Sequence, residues 1–282
     1  MTVTEKRHTF RELHQRGCFV MPNPWDVGSA RYLQGLGFKA LASTSAGYAF
    51  TQGLPDNAVG RDMMLAHLRD LSAALDVPIN ADFEGGYAHE AENVSDNVRM
   101  CLETGVAGLS IEDATGDPDQ PLYDFALAVA RIRAARAAID QGGGDLVFTG
   151  RTECFLVGRP DLDEAIRRLK AYAAAGADCL YAPGIRTREQ IEAVVKAVAP
   201  KPVNVLMSGA LGMTVADLAA LGVRRVSVGS ALARVGWGAM IRCAKQIIGD
   251  GVFDSFAGAA PYPDLSAFFS EDAKKRGPQI PE

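Results

Sequence analysis

Between residues 18 and 248 the chain alternates, eight times over, a short apolar run with a segment of helical period. The apolar runs fall at 18–22, 38–44, 77–84, 107–112, 145–150, 178–182, 202–207 and 224–228, and each is followed by a helical stretch. Gly105, Gly176 and Gly222 stand just past a predicted helix and just before a predicted strand, the place where an αβ turn needs a residue free to take positive φ. Eight βα units predict an α/β protein with a closed parallel sheet, a (β/α)8 TIM barrel, in preference to an open sheet. No composition break divides it, so residues 1–250 are expected to form one barrel domain. A polar helical segment to about Gln15 precedes the first strand. Residues 251–282, with Pro261, Pro263, Pro278, Pro281 and a short helix near 265–275, are an extension expected to pack on the barrel or on a partner subunit.

A chain of 282 residues with 48% hydrophobic residues can bury a core of that size. Its net charge of −5 and lack of a basic stripe argue against nucleic acid as a partner. No apolar run reaches membrane-spanning length, and residues 1–8 are charged and lack the apolar core of a signal peptide. A cytoplasmic protein with no membrane partner is the expectation. Cys18, Cys101, Cys154, Cys179 and Cys243 form no CxxC pair, so reduced cysteines are expected in place of a disulfide or zinc framework.

The chemistry is expected where barrels keep it, at the C-terminal strand ends. The stretch Val77-Pro78-Ile79-Asn80-Ala81-Asp82-Phe83-Glu84-Gly85-Gly86-Tyr87 delivers an amide and two carboxylates to one such end. The next strand ends in Glu112-Asp113, the fifth in Arg151-Thr152-Glu153, and Asp56 follows the second. Any one of these acids could be the N-cap of the following helix; their recurrence at equivalent places favours a site. Oxygen donors without histidine suit Mg²⁺, with Mn²⁺ possible, and argue against zinc. Such an ion takes one or two carboxylates plus substrate oxygens, so a chelating 2-oxo or 2-hydroxy carboxylate is the expected small-molecule partner.

Arg151 is placed to hold the far oxygen or a developing enolate, and pairing with Glu153 or Glu112 is compatible with that role. Thr44-Ser45-Ala46-Gly47, read as the start of a long loop over 45–56, offers small residues and hydroxyls to a carboxylate. Gly229 after the eighth strand fits either a phosphate site or a tight turn. His8, His14, His67 and His89 form no nucleophilic triad, and most are expected at the surface.

In that order, Thr44-Ser45-Ala46-Gly47, Gly53-Leu54-Pro55-Asp56, Asn80-Ala81-Asp82 with Gly86-Tyr87, Ser110-Ile111-Glu112-Asp113 and Arg151-Thr152-Glu153 resemble the isocitrate lyase/phosphoenolpyruvate mutase superfamily, from about Met21 to Met240. The resemblance implies a barrel whose eighth helix is exchanged with a partner, giving a homodimer or homotetramer. It also implies Mg²⁺-dependent cleavage or formation of a C–C or P–C bond through an enolate-like species. By motif match, Asp56, Asp82 and Glu112 fall on the metal shell, with Asn80 and Glu84 as further metal candidates. Thr44, Ser45, Ala46, Gly47 and Arg151 fall on the substrate, and Arg151, Glu112 and Tyr48 are the catalytic candidates.

This chain departs from the superfamily pattern in three places. Asn80 stands where members have an aspartate, so Glu84 has to supply the missing charge. The loop 113–121 lacks the Lys-Lys-Cys-Gly-His run of isocitrate and methylisocitrate lyases, and with it the cysteine that protonates the leaving carbanion. Leu180-Tyr181-Ala182-Pro183 lacks their glutamate. The expected function is therefore a lyase on a small 2-oxo dicarboxylate, most simply a decarboxylase of oxaloacetate type. Methylisocitrate lyase-like or phosphonopyruvate hydrolase-like cleavage, and a non-catalytic 2-oxo acid binding protein, are the alternatives.

Overall fold

The computed structural model describes residues 1–276; Pro278 and Pro281 of the expected extension lie outside the described residues. Eight parallel strands appear in the expected order: β1 (Phe19–Met21), β2 (Leu41–Ala42), β3 (Ile79–Asp82), β4 (Gly108–Glu112), β5 (Val147–Arg151), β6 (Cys179–Tyr181), β7 (Val203–Leu206) and β8 (Arg225–Ser227). The sheet runs β1-β8-β7-β6-β5-β4-β3-β2. The Ala42 amide donates to Pro22 O across the remaining gap at 3.1 Å, so the barrel is nearly closed. The helices are α1 (Val3–Leu13), α2 (Val27–Gly35), α3 (Ser45–Thr51), α4 (Arg61–Ala74), α5 (Ala91–Leu102), α6 (Phe125–Gln141), α7 (Leu162–Ala174), α8 (Arg188–Val198), α9 (Val215–Ala220), α10 (Ala231–Asp250) and α11 (Tyr262–Arg276). Among the described residues no helix is long and apolar enough to cross a membrane.

Local chemistry explains the element ends. Thr2/Glu5, Thr187/Gln190 and Thr214/Asp217 form reciprocal capping boxes at α1, α8 and α9. Gly105 and Gly176 adopt φ of 83° and 106° at the predicted αβ turns. A Cβ on Gly176 would lie 2.4 Å from Arg136 Cγ, so close packing excludes a side chain there as well.

Two apolar layers result. Outside the strands, Leu41, Ile79, Leu109, Phe148 and Val205 pack with helix residues such as Leu68, Val98, Ile132, Leu169 and Val194 in the main core. A smaller cluster of Phe10, Met21, Ala40, Ala42 and Val147 fills the lower barrel. The floor is thus plugged by Phe10 of α1, and the extension lies elsewhere: the Phe268 ring of α11 packs over Gly35 and Tyr32 of α2, and Arg31 pairs with Asp272 at 3.3 Å.

Two sequence expectations are corrected here. Residues 45–51 form helix α3 and not the start of a long loop, because the Thr44 hydroxyl caps the Gly47 amide at 3.2 Å. His67 is buried and His14 half-buried, while His8 and His89 are exposed. His67 is 6% exposed and stacks on Tyr48 with centroids 3.7 Å apart. His14 donates from Nδ1 to Phe10 O at 2.7 Å, which leaves Nε2 to accept from Arg225 at 3.3 Å.

These two histidines set an acid-stability window. Burial, with Arg225 beside it, pushes His14 down to about 3, and burial pushes His67 down to about 4. Both are depressed below the unfolded value near 6.5, so the unfolded chain binds more protons as pH falls and stability is lost below that value. Each histidine is expected to cost about 2 kcal/mol of stability between pH 7 and pH 5. Urea unfolding at the two pH values checks this: His14→Gln with His67→Gln should shrink the difference, and an unchanged difference contradicts it.

α10 differs from the other barrel helices. Of its 20 residues only Ala233 is buried, while Val235 and Ile248 are 69% and 88% exposed.

Candidate active site

Two adjoining cavities open at the C-terminal strand ends, of about 250 and 830 Å³, and share Ser45, Asp56, Arg151 and Leu156 as lining. The structure brings every expected metal candidate to their walls: Asn80 and Asp82 line the smaller cavity, Glu84 and Glu112 the larger, and Asp56 both.

Arg151 is the centre of the site. Its Nη1 lies 3.1 Å from both Asp82 Oδ1 and Glu112 Oε2, and its Nε donates to Glu153 Oε1. Register explains the convergence, because Glu112 and Arg151 are direct partners on β4 and β5 and Arg151 faces Tyr181 on β6. The Tyr181 ring lies 5.2 Å from the guanidinium carbon. Burial opposes the charge of Arg151, but Glu112, Glu153 and Asp82 together hold it protonated. Nη2 has no acceptor among the described residues.

The second oxygen of Asp82 accepts from both the amide and the hydroxyl of Ser45, each at 3.0 Å, and the Asp82 amide donates to the Ser43 hydroxyl at 2.9 Å. The start of α3 therefore positions a carboxylate of the chain itself. Thr44, Ser45 and Ala46 line the smaller cavity, as expected for substrate contacts. Gly47 does not: its amide is taken by Thr44, and a Cβ there would meet Thr44 Cγ2 at 2.5 Å and Trp25 Cβ at 3.2 Å.

Five carboxylates, Asp56, Asp82, Glu84, Glu112 and Glu153, thus surround one guanidinium. Burial pushes the Glu112 carboxyl well up, against the pull of Arg151. Burial, with Asp82 and Asp56 nearby, pushes Glu84 up to about 7. Glu84 Oε1 and Asn80 Oδ1 are buried oxygens without a hydrogen-bond partner. Glu84 is also held at φ 46°, a conformation that costs a non-glycine residue energy and recurs at functional sites. Among the described residues, no three His, Cys, Asp or Glu side chains are grouped as a ready ligand set. The donor chemistry nonetheless fits a divalent hard cation, since carboxylates outnumber the guanidinium they surround and Glu84 Oε1 has no hydrogen-bond partner.

The family model for phosphoenolpyruvate phosphomutase matches residues 10–248. The chain belongs to that family. Oxaloacetate decarboxylase from Paraburkholderia xenovorans (strain LB400) is 35% identical over 237 residues, 81% of this chain and 76% of the relative. A crystal structure from Burkholderia cenocepacia J2315, provisionally named a lyase/mutase, is 48% identical with a TM-score of 0.92 and covers 95% of this chain and 97% of that one. Phosphonopyruvate hydrolase, solved with oxalate and Mg²⁺, is 26% identical with a TM-score of 0.82, covering 98% and 97%. The expected superfamily and barrel stand, and the chain is a carbon–carbon lyase of the isocitrate lyase/phosphoenolpyruvate mutase type.

Within this family site, Tyr48 does not reach either cavity. Its ring is stacked on His67 between α3 and α4. Gly229 is held as a tight turn: its amide and that of Val228 donate to Asn23 Oδ1 at 2.9 Å, and Asn23 Nδ2 donates to Ser43 O at 2.8 Å. Asn23 so ties the ends of β1, β2 and β8 together, and no free amide of Gly229 remains for phosphate.

Several lining residues carry no motif: Asn23, Tyr181, Asn204, Ser208, Arg225, Ser227 and Arg234. The available signal was a polar residue at an inward position of an apolar strand, as with Asn204 in Val203-Asn204-Val205 and Arg225 before Val226.

Asp113 is the buried support of the site, at 3% exposure. Its carboxylate accepts from the Thr152 hydroxyl at 2.9 Å, the Glu153 amide at 2.8 Å, Arg168 Nη1 at 3.1 Å and the Tyr172 hydroxyl at 2.6 Å. Its carbonyl receives the Tyr123 amide at 3.0 Å, closing the root of the loop 113–123. One side chain therefore fixes Glu112 relative to Arg151 and Glu153.

Proposed function

We propose that the mouth of the barrel binds a small 2-oxo or 2-hydroxy dicarboxylate beside Mg²⁺ and that the enzyme decarboxylates a substrate of oxaloacetate type. The observation that carries this reading is the guanidinium of Arg151 ringed by carboxylates on the wall of a cavity sized for a small acid. The 35% identity to an oxaloacetate decarboxylase supports it, as does the oxalate and Mg²⁺ held by the similar phosphonopyruvate hydrolase.

Asp82, Asp56, Glu112 and Glu84 are the side chains that would hold the ion, directly or through water, with Asn80 as a neutral oxygen donor. When bound, Mg²⁺ supplies Lewis-acid polarisation of the 2-oxo group. Arg151 Nη2 donates to the oxygen on which negative charge develops as CO₂ leaves, a contribution worth more from a preorganised donor than from bulk water. Ser45 and Glu112 hold Asp82 and Arg151 in place, so little reorganisation accompanies the reaction. The loop 113–122 carries no cysteine, and a decarboxylation needs none, since water can protonate the enolate at carbon. The exposed apolar residues of α10 fit the expected exchange of this helix with a second subunit, giving a homodimer or homotetramer.

The test is pyruvate release from oxaloacetate by the purified protein with Mg²⁺, measured against the metal-only rate. A rate clearly above that background is expected. No excess rate, together with calorimetric binding of oxaloacetate, would favour the 2-oxo acid binding protein; turnover of phosphonopyruvate alone would favour P–C cleavage.

A further inference from the structure

The barrel holds a second interior guanidinium. Arg225 on β8 is 1% exposed and lines the smaller cavity. Its Nε donates to Asn204 Oδ1 at 2.9 Å, its Nη2 to the Thr149 hydroxyl at 3.0 Å, and its Nη1 to His14 Nε2 at 3.3 Å. All three partners are neutral. No carboxylate of the described residues lies within salt-bridge reach of it, whereas Arg151 has three. A buried cation without a counter-charge is costly unless an anion joins it. A guanidinium carries five N–H donors, so two remain without an acceptor among the described residues.

Position gives the spacing. Thr149 precedes Arg151 by two residues on the same inward face of β5, which puts Arg225 one layer below, about 7 Å down the strand at 3.3 Å per residue. At roughly 30 Å³ for each water-sized group, a cavity of about 250 Å³ accepts a small diacid. The space has an anion-seeking end at Arg225 and a cation-seeking end at the ring of acids.

We propose that the cavity floor is a carboxylate subsite, in which Arg225 receives the far carboxylate of a ligand whose 2-oxo or 2-hydroxy acid end is held at Arg151. The subsite rests on the reading of the mouth as an acid-binding site. It makes Arg225 the residue that separates dicarboxylates from monocarboxylates. The same guanidinium could take a small free anion beside a monocarboxylate.

Calorimetry on the full chain with Mg²⁺ tests it, using malate and lactate, 2-hydroxy acids that differ by the second carboxylate. The wild type is expected to bind malate at least about tenfold more tightly, the scale of a charge-assisted contact. Arg225→Met should abolish that preference and leave lactate affinity within about twofold; Arg225→Lys, which keeps a charge without the fork, should retain part of it. Added formate distinguishes the sources: tighter lactate binding by the wild type shows a free anion on the floor, and no effect with the malate preference intact assigns the floor to the ligand's own carboxylate. The proposal is overturned if Arg225→Met keeps the malate preference, or if the wild type shows neither that preference nor a formate effect. If both variants fail to fold, the wild-type comparison decides. Failure of both acids to bind the wild type would remove the acid-site reading itself.

Discussion

Arg151→Ala is expected to lower Mg²⁺-dependent release of pyruvate from oxaloacetate by about 10²–10³-fold, the usual loss when a preorganised donor to developing charge is deleted. The structure gives two reasons for a large effect. Among the described residues the guanidinium is the one cation within 4 Å of Asp82, Glu112 and Glu153, so its removal deletes the donor to the substrate and leaves three acids repelling one another. Arg151→Lys should recover only part of the rate, because an ammonium is a point charge and cannot span Glu153 through one nitrogen and Asp82 with Glu112 through another. The assay is initial rate at saturating Mg²⁺, with circular dichroism to verify the fold. A rate for Arg151→Ala within twofold of wild type would contradict the assignment.

Asp113→Ala is expected to destabilise the protein by about 3–5 kcal/mol, as for removal of one partner from a buried ion pair. Four donors lose their acceptor together: the Arg168 guanidinium, two hydroxyls and the Glu153 amide. The change also frees the root of the loop 113–123, so turnover should fall even where the fold survives. Urea unfolding at pH 7 measures the first effect, and a loss below about 1 kcal/mol would show that Asp113 is not the support described.

The fold was legible because its signals are local. Each strand is a short apolar run, and glycines at 105, 176 and 222 mark αβ turns by a conformational need that adjacent residues alone reveal. The acids and Arg151 were legible for the same reason, since barrel geometry sends every strand end to one face. Helix α3 was hidden because Gly47 and Tyr48 are weak helix formers and the segment depends on the Thr44 cap and on packing against Trp25. Tyr48 looked catalytic from its place after Thr44-Ser45-Ala46-Gly47, and the helical turn carries it onto His67 instead. Asp113 and Arg225 were out of reach in another way. The side-chain partners of Asp113 lie 39 to 59 residues away, and Arg225 crosses the barrel to a threonine 76 residues distant. Such contacts exist only once the sheet has closed.

A crystal structure of the protein grown with Mg²⁺ and oxalate tests the central claim most directly. The diacid is expected at the barrel mouth within hydrogen-bond distance of Arg151, with the ion between it and the carboxylates of Asp82 and Glu112. Oxalate bound elsewhere, or an ion seated away from those acids, would contradict it.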